Sequence, residues 1–345
     1  MNIRYPAEFE KHKATILVFP FNVLDWPGKF GAIPWVYTEI IRHLCKNELI
    51  YLIYKDKFEL ISIKKKLNLA GLLDHKNIIL VNYKTSRSWV RDTSPSFIFV
   101  DKQIKAVKFK FNGWAKYSNC RLDSKLPEAL CAEIGVELSE AKYKGENVVL
   151  EGGAIDINGA GTLITTEECL MDQETQVRNP GFTKEDYSKI FFTELGIKNV
   201  IWLGKGIAGD DTHGHVDDLC RFVNKNTLVL VREKNPKDEN YKNLEENVER
   251  LQDAKLQNGS KPEVVYLPMP EPVVFDDMRL PASYANFYIA NGKVLVPTFN
   301  DKNDYIALGI LKELFPGREV CGIHAVDLVW GLGTLHCLAH EIPDF

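Results

Sequence analysis

Reactive side chains gather at a few points of the sequence and are sparse between them. Trp89-Val90-Arg91-Asp92 comes first, then Glu151-Gly152-Gly153, then a run from Gly209 to Asp218 holding Asp211, His213, His215 and Asp217. Asn286 lies in a fourth stretch, and His336-Cys337 in the last. A cysteine thiolate attacks electrophilic carbon. A histidine can give a proton to a leaving group and then take one from water. Carboxylates without a lysine or arginine in the same motif suit a cationic ligand. A planar guanidinium, with its fork of N–H donors, matches paired carboxylates. Clamped between Asp92 and Asp217, such a cation would turn its carbon toward Cys337. Its charge would also favour the thiolate over a thiol whose ordinary pKa is about 8.5.

Taken singly, each of these residues has an ordinary structural explanation. Asp92 can open a turn before Pro95. Glu151 can cap one before two glycines, and Cys337 can be a small buried core residue. His215 and Asp217 alternate, so an extended strand would set both on one face. A site exists only if the fold brings the stretches together.

The pattern of elements predicts such a fold. Residues 96–111 read as a hairpin around Asp101-Lys102, followed by a helix near 124–135 and a strand at 147–150. Residues 154–166 repeat the hairpin at Asn158-Gly159, with a helix near 183–195 opened by Thr183 and a strand at 199–203. A third unit has its hairpin at 219–231, a polar helix near 239–257 and a strand at 263–267. A fourth turns at Asn291-Gly292 within 284–299, with a helix near 303–315 and a strand at 319–325. Asn-Gly between apolar strands is a strong short-range hairpin signal.

At the N-terminus a strand at 14–20, a helix near 33–46 and a strand at 48–54 lack the first hairpin strand. The C-terminal strand near 335–342 lacks a partner. Pairing the two ends completes a fifth unit, with 56–83 as an extra helix and strand, and removes two exposed sheet edges. The expected fold is therefore α/β: a five-bladed, pseudo-fivefold α/β propeller of ββαβ-type units, one catalytic domain over residues 1–345. The reactive stretches stand just before hairpins, at equivalent points, and would converge on the axis.

Composition narrows the partners. Lys plus Arg is 43 and Asp plus Glu is 47, a net charge of -4, so the basic excess of a nucleic-acid binder is missing. No apolar run reaches the roughly 18 residues of a membrane helix. The N-terminal stretch does not read as a signal peptide, which makes the cytoplasm the expected location. Seven cysteines, an odd number without a CxxC pair, indicate neither a disulfide framework nor a thiolate zinc site. His213, His215 and Asp217 do not complete a metal-ligand set, and neither GxGxxG nor GxxxxGK[ST] is present. No metal and no organic cofactor is expected. The patterns do not fix an oligomeric state, and a homo-oligomer is compatible with them.

Six segments go further when read in order: WVRDTSP (89–95), FNGW (111–114), EGGAIDINGAGTLITTEECLM (151–171), GHVDDLCRFV (214–223), RLPASYANF (279–287) and GLGTLHCLAHEIP (331–343). In these the sequence resembles the agmatine deiminase and bacterial-type peptidylarginine deiminase family, within the guanidine-modifying (pentein) superfamily. The resemblance implies a five-bladed α/β propeller that hydrolyses a guanidinium without metal or organic cofactor. It implies Cys337 as nucleophile, His215 as acid/base, and Asp92 and Asp217 as guanidinium ligands, with Trp89, Glu151 and Asn286 near the substrate. Departures at Ser94, His213, Leu332, Thr334 and Leu335 touch the walls and spare the chemistry. Agmatine, giving N-carbamoylputrescine and ammonia, is the expected substrate, with Asp211 as the candidate seat for its distal ammonium. Free or peptidyl arginine is the alternative, and a ligand-binding protein without turnover is another.

Overall fold

The computed structural model describes residues 2–344. Five mixed sheets of three or four strands follow one another along the chain, and all share one strand plan. A central strand pairs antiparallel with a neighbour on one side and parallel with a neighbour on the other. The central strands are Gln103–Lys108, Thr162–Thr166, Thr227–Arg232, Lys293–Thr298 and His12–Val18. In the first four sheets the antiparallel partner precedes the central strand through a tight turn, and the parallel partner follows after a helix. Asp101 and Lys102 take φ of 48° and 71°, the left-handed pair that a two-residue hairpin turn requires. The predicted Asn291-Gly292 turn joins Tyr288–Ala290 to Lys293–Thr298.

The fifth sheet is assembled from both ends of the chain. Ala339–Pro343 pairs antiparallel with His12–Val18, with Ile16 opposite His340. Leu49–Tyr54 and Ile78–Asn82 then add in parallel, so the extra helix Lys57–Leu69 and its strand enlarge this sheet.

Helices wedge between successive sheets. Tyr241–Gln252 packs on Thr227–Arg232 of its own unit and on Asn199–Leu203 of the unit before. Asp304–Leu314 packs on Glu319–His324 and on Glu263–Pro268. Ile33–Leu44 likewise joins Leu49–Tyr54 to Lys293–Thr298. Local sequence explains the helix ends. Thr183 accepts the Asp186 N–H, and Asp186 accepts the Thr183 N–H, a reciprocal cap on Lys184–Leu195. Leu244 and Leu251 on the apolar face of Tyr241–Gln252 are buried with Leu228, Val229 and Leu230 of the adjacent strand. Full burial of such side chains contributes about 1.5–3 kcal/mol each.

Three expectations shift. In the first unit the parallel strand is Glu137–Glu140, not 147–150; only an isolated bridge between Lys110 and Val149 forms there. Val148, Val149 and Leu150 are apolar because they are buried, while Glu137–Glu140 is a polar outer-edge strand with little hydrophobic signal. The hairpins also begin late: regular pairing starts at Asp156, Cys220 and Tyr288, and the C-terminal strand at Ala339. The residues just before them are spent on turns that aim polar side chains inward.

Where the sheets meet, buried charges hold them together. Glu8 accepts from Arg221 Nη2 at 2.9 Å, Arg91 Nη2 at 2.8 Å and the Ile289 N–H at 2.8 Å, and His336 Nε2 lies 2.9 Å away. Arg91 also reaches Glu341 at 2.8 Å, and Arg221 pairs with Asp156. Residues from all five units enter this network. Burial alone would raise the Glu8 carboxyl, but Arg221, His336 and Arg91 together hold it well below the usual carboxylate range. Glu8→Ala takes one of two carboxylate partners from each of two buried guanidinium groups, Arg91 and Arg221, so it is expected to cost about 3–5 kcal/mol of stability. Urea unfolding measures this, and a midpoint near that of the wild type would contradict it.

Candidate active site

Single helical turns carry most of the reactive residues. Asp92 lies on Val90–Thr93 and Cys337 on Leu335–Leu338. Glu151 precedes the turn Gly152–Ala154, and His215 precedes Val216–Asp218, which contains Asp217. The turns touch one another: Val90–Thr93 packs on Leu335–Leu338 and Gly152–Ala154, which packs on Val216–Asp218. His215 and Asp217 therefore do not share a strand face as the alternation suggests. The tight turn instead brings His215 Nδ1 to 4.0 Å from Asp217 Oδ1.

Gly153 sits at the centre. A Cβ there would fall 2.5 Å from His215 Nδ1 and 3.0 Å from carboxylate oxygens of both Asp92 and Asp217. Only glycine lets the three approach. Its N–H donates to Asp92 Oδ1 at 2.9 Å, and Trp114 Nε1 donates to Asp92 Oδ2 at 2.9 Å. Asp217 Oδ2 lies 2.7 Å from His336 Nδ1, while its buried Oδ1 has no hydrogen-bond partner among the described residues. Asn286 Nδ2 donates to the Cys337 sulfur at 3.2 Å. Asn286 Oδ1 accepts from Thr334 Oγ1 and the His336 N–H. The sulfur is 3.7 Å from Asp217 Oδ2.

Asp92, Trp114 and Cys337 line a cavity of about 380 Å³, together with Trp89, Tyr117 and Asp211 among others. Trp89 stands beside Trp26, ring centroids 5.3 Å apart, as part of the wall. Cys337, Asp92, Trp89 and Asp211 line this cavity, and the other four candidate residues are buried behind it: Asp217 and Asn286 against Cys337, His215 within 3.9 Å of Asp92, and Glu151 within 4.0 Å of His215.

The electrostatics separate the groups. Burial, then Asp217 and Glu151, raise the Asp92 carboxyl above its ordinary range. Asp217 goes the other way: burial is outweighed by His336 and His215, which lower it. Burial works against a proton on His215, yet Asp92, Cys169 and Asp217 raise its pKa well above the usual imidazole value. Burial and then Asp217, Asp218 and Asp92 push the Cys337 thiol up, opposed by Asn286. Both shifts run toward the protonated form, the charged imidazole of His215 and the thiol of Cys337.

Two expected carboxylates are already paired with cations. Glu151 accepts from Arg178 Nε at 3.1 Å, and Asp211 from Lys116. Asp92 and Asp217 have no lysine or arginine salt bridge among the described residues. Cys169 groups with Glu151 and His215, their ligand atoms within 4.8 Å of one another. Oxygen, sulfur and nitrogen suit a borderline-soft cation, but the Arg178 guanidinium already occupies that position on Glu151. His213 turns away to Asp172, 2.7 Å from Nε2. Trp114, His336, Arg178 and Glu8 support the site and were not singled out for it from sequence. Only the FNGW and His-Cys motifs marked any of them.

A cationic alkylating agent tests this electrostatic picture. 2-Chloroacetamidine is expected to alkylate Cys337 about tenfold or more faster than neutral iodoacetamide, and Asp92→Asn to narrow the gap. Peptide mass mapping locates the label; equal rates, or labelling of Cys169 in place of Cys337, would count against the assignment.

Comparison with known proteins places the chain in a family. The chain is 32% identical to a protein of Selenomonas ruminantium, over 98% of this chain and 95% of that one. It is 29% identical to the agmatine deiminase of Pseudomonas aeruginosa (strain LESB58), over 99% and 95%. The solved agmatine deiminase of Enterococcus faecalis superposes with a TM-score of 0.89 at 25% identity, covering 99% of this chain and 96% of that one. Substrate-bound C. jejuni agmatine deiminase, as a cysteine-to-serine variant, superposes with a TM-score of 0.86 at 28% identity, over 98% and 96%. The model of the Porphyromonas-type peptidyl-arginine deiminase family matches residues 4–343, and the chain belongs to that family.

Proposed function

We propose that the protein hydrolyses agmatine to N-carbamoylputrescine and ammonia. The observation that carries the reading is a buried sulfur 3.7 Å from one of two carboxylates that have no lysine or arginine partner among the described residues, with an imidazole raised toward its charged form beside them. A guanidinium supplies the missing positive charge. Agmatine deiminases among the relatives, aligned over nearly their whole length, support agmatine as that guanidinium.

The reaction follows from the protonation states. Asp92 and Asp217 take the N–H edges of the guanidinium and present its carbon to Cys337. The incoming cation offsets the carboxylates that favour the thiol, so the sulfur gives its proton to solvent as substrate binds. The thiolate adds to the carbon. His215, already protonated, gives its proton to the departing nitrogen, and ammonia leaves. A thiouronium remains on sulfur. Neutral His215 then takes a proton from water, whose oxygen adds to the same carbon; the C–S bond breaks as the added hydroxyl passes its remaining proton to the departing sulfur, which releases the ureido product and restores the thiol. Asn286 holds the sulfur, Trp89 walls the cavity, Glu151 backs His215, and Asp211 receives the distal end of the substrate.

The same reading takes the five sheets as blades around an axis, in one domain spanning the chain. The helices wedged between neighbouring sheets and the pairing of the terminal strands support it. Seven free cysteines fit a reducing cytoplasm. No helix among the described residues is long and apolar enough to cross a membrane.

Cys337→Ala and His215→Ala are each expected to abolish ureido formation from agmatine in a colorimetric assay. Wild-type-like turnover by either sinks the mechanism. The pH profile follows from the same shifts. kcat/KM of the free enzyme should rise as the Cys337 thiol, pushed up, becomes able to ionise, and fall as His215, also raised, loses its proton. The optimum is thus expected on the alkaline side of neutrality, and a maximum below pH 6 would falsify the assignment.

A further inference from the structure

Asp211 on the cavity wall is half of a charge pair whose other half, Lys116, has no role in the proposed reaction. Asp211 lines the cavity, but its carboxylate is engaged: Lys116 Nζ lies 2.5 Å from Oδ1, and the Tyr117 hydroxyl donates to Oδ2 at 2.8 Å. The pair is open to solvent, with side chains 42% and 20% exposed.

The backbone that delivers it is costly. Gly113, Trp114 and Ala115 all have left-handed φ, at 70°, 56° and 53°. A Cβ on Gly113 would overlap the Tyr117 carbonyl oxygen. Two consecutive non-glycine residues in this region persist only where the surroundings impose them. Here the Asn112 side chain accepts the Ala115 N–H at 2.8 Å, and the Gly113 carbonyl accepts the N–H groups of Lys116 and Tyr117. The result is one turn that sends Trp114 Nε1 to Asp92 and, two and three residues later, Lys116 and Tyr117 to Asp211. The same strained segment serves both ends of the substrate site.

We propose that Lys116 is an exchangeable counter-ion for Asp211 and sets how strongly the site prefers guanidines with a second, distal positive charge. The inference rests on the agmatine reading above, with Asp211 at the distal end. An alkyl ammonium on the substrate is chemically equivalent to the Lys116 head group. A solvent-exposed pair of this kind is weak and readily broken. The substrate ammonium takes the Asp211 oxygen, and Lys116 swings to solvent. The other mouth cation does not exchange this way: Arg87 is held by Asp25 at 3.1 Å and lies over the Tyr117 ring at 4.4 Å. A guanidine without a distal charge leaves the Lys116–Asp211 pair in place. Lys116 thus tempers the preference that Asp211 creates.

The test is the ratio of kcat/KM for agmatine to that for butylguanidine, which has the same chain without the ammonium. Lys116→Met is expected to raise this ratio about two- to fivefold at low ionic strength, with the gain shrinking in high salt. Asp211→Asn should lower the ratio, and adding Lys116→Met to it should give no further rise. A ratio that Lys116→Met leaves unmoved or lowers, or raises equally without Asp211, overturns the inference. A wild type that hydrolyses neither compound overturns the reaction and this inference with it. Wild-type turnover with an unmoved ratio overturns the inference alone.

Discussion

Glu8 is the point on which the architecture turns. One buried carboxylate receives Arg91, Arg221, the Ile289 N–H and His336, groups from four different units. A single carboxylate has about four lone-pair sites, and here each meets a donor. This explains how ionic groups survive where the sheets meet. Isolated, any one of them would be too expensive to bury; together, each desolvated charge has its hydrogen bonds filled. The active site then inherits its geometry from this network. His336 bridges Glu8 and Asp217, so the position of Asp217 Oδ2 is fixed from below and Oδ1 is left facing the site.

The same logic explains why the cavity floor is short of positive charge. A site that must hold a cation cannot neutralise its own acids with lysine or arginine. Asp92 and Asp217 are stabilised by neutral or shared donors instead: the Gly153 N–H and Trp114 for one, His336 for the other. Donors of this kind orient a carboxylate without consuming its charge. Burial, with Asp217 and Glu151 beside it, pushes Asp92 up, whereas His336 and His215 pull Asp217 down against burial. Burial and the acids Asp217, Asp218 and Asp92 push the Cys337 thiol up, as expected of a cysteine enclosed beside carboxylates.

What the chain revealed before folding depended on whether a feature was local. Hairpin turns at Asp101-Lys102 and Asn291-Gly292 were legible because two residues set the backbone twist. The Thr183 cap was legible because its partner is three residues away. Strand Glu137–Glu140 was not, since a polar edge strand has no apolar alternation, whereas the buried run Val148–Leu150 imitates one. At the site, residues inside dense motifs stood out. Glu8 did not: its role comes from partners 83, 213 and 281 positions away. Cys169 and Arg178 were invisible for the same reason, because their meeting with His215 and Glu151 is a product of tertiary packing.

The recurrence of single helical turns ahead of the strands has a geometric reason. An extended strand sends alternate side chains to opposite faces, so it can offer only every second residue to a shared centre. One helical turn changes the chain's direction within four residues and lets neighbours in sequence serve different tasks. Val90–Thr93 shows this directly: Arg91 points to the buried network and Asp92, the next residue, to the cavity. Leu335–Leu338 does the same with His336 and Cys337. In each pair one residue anchors the turn below while its neighbour acts above. A slip of either turn by one residue would exchange anchor and actor, so the ionic anchor beneath also fixes which side chain meets the substrate.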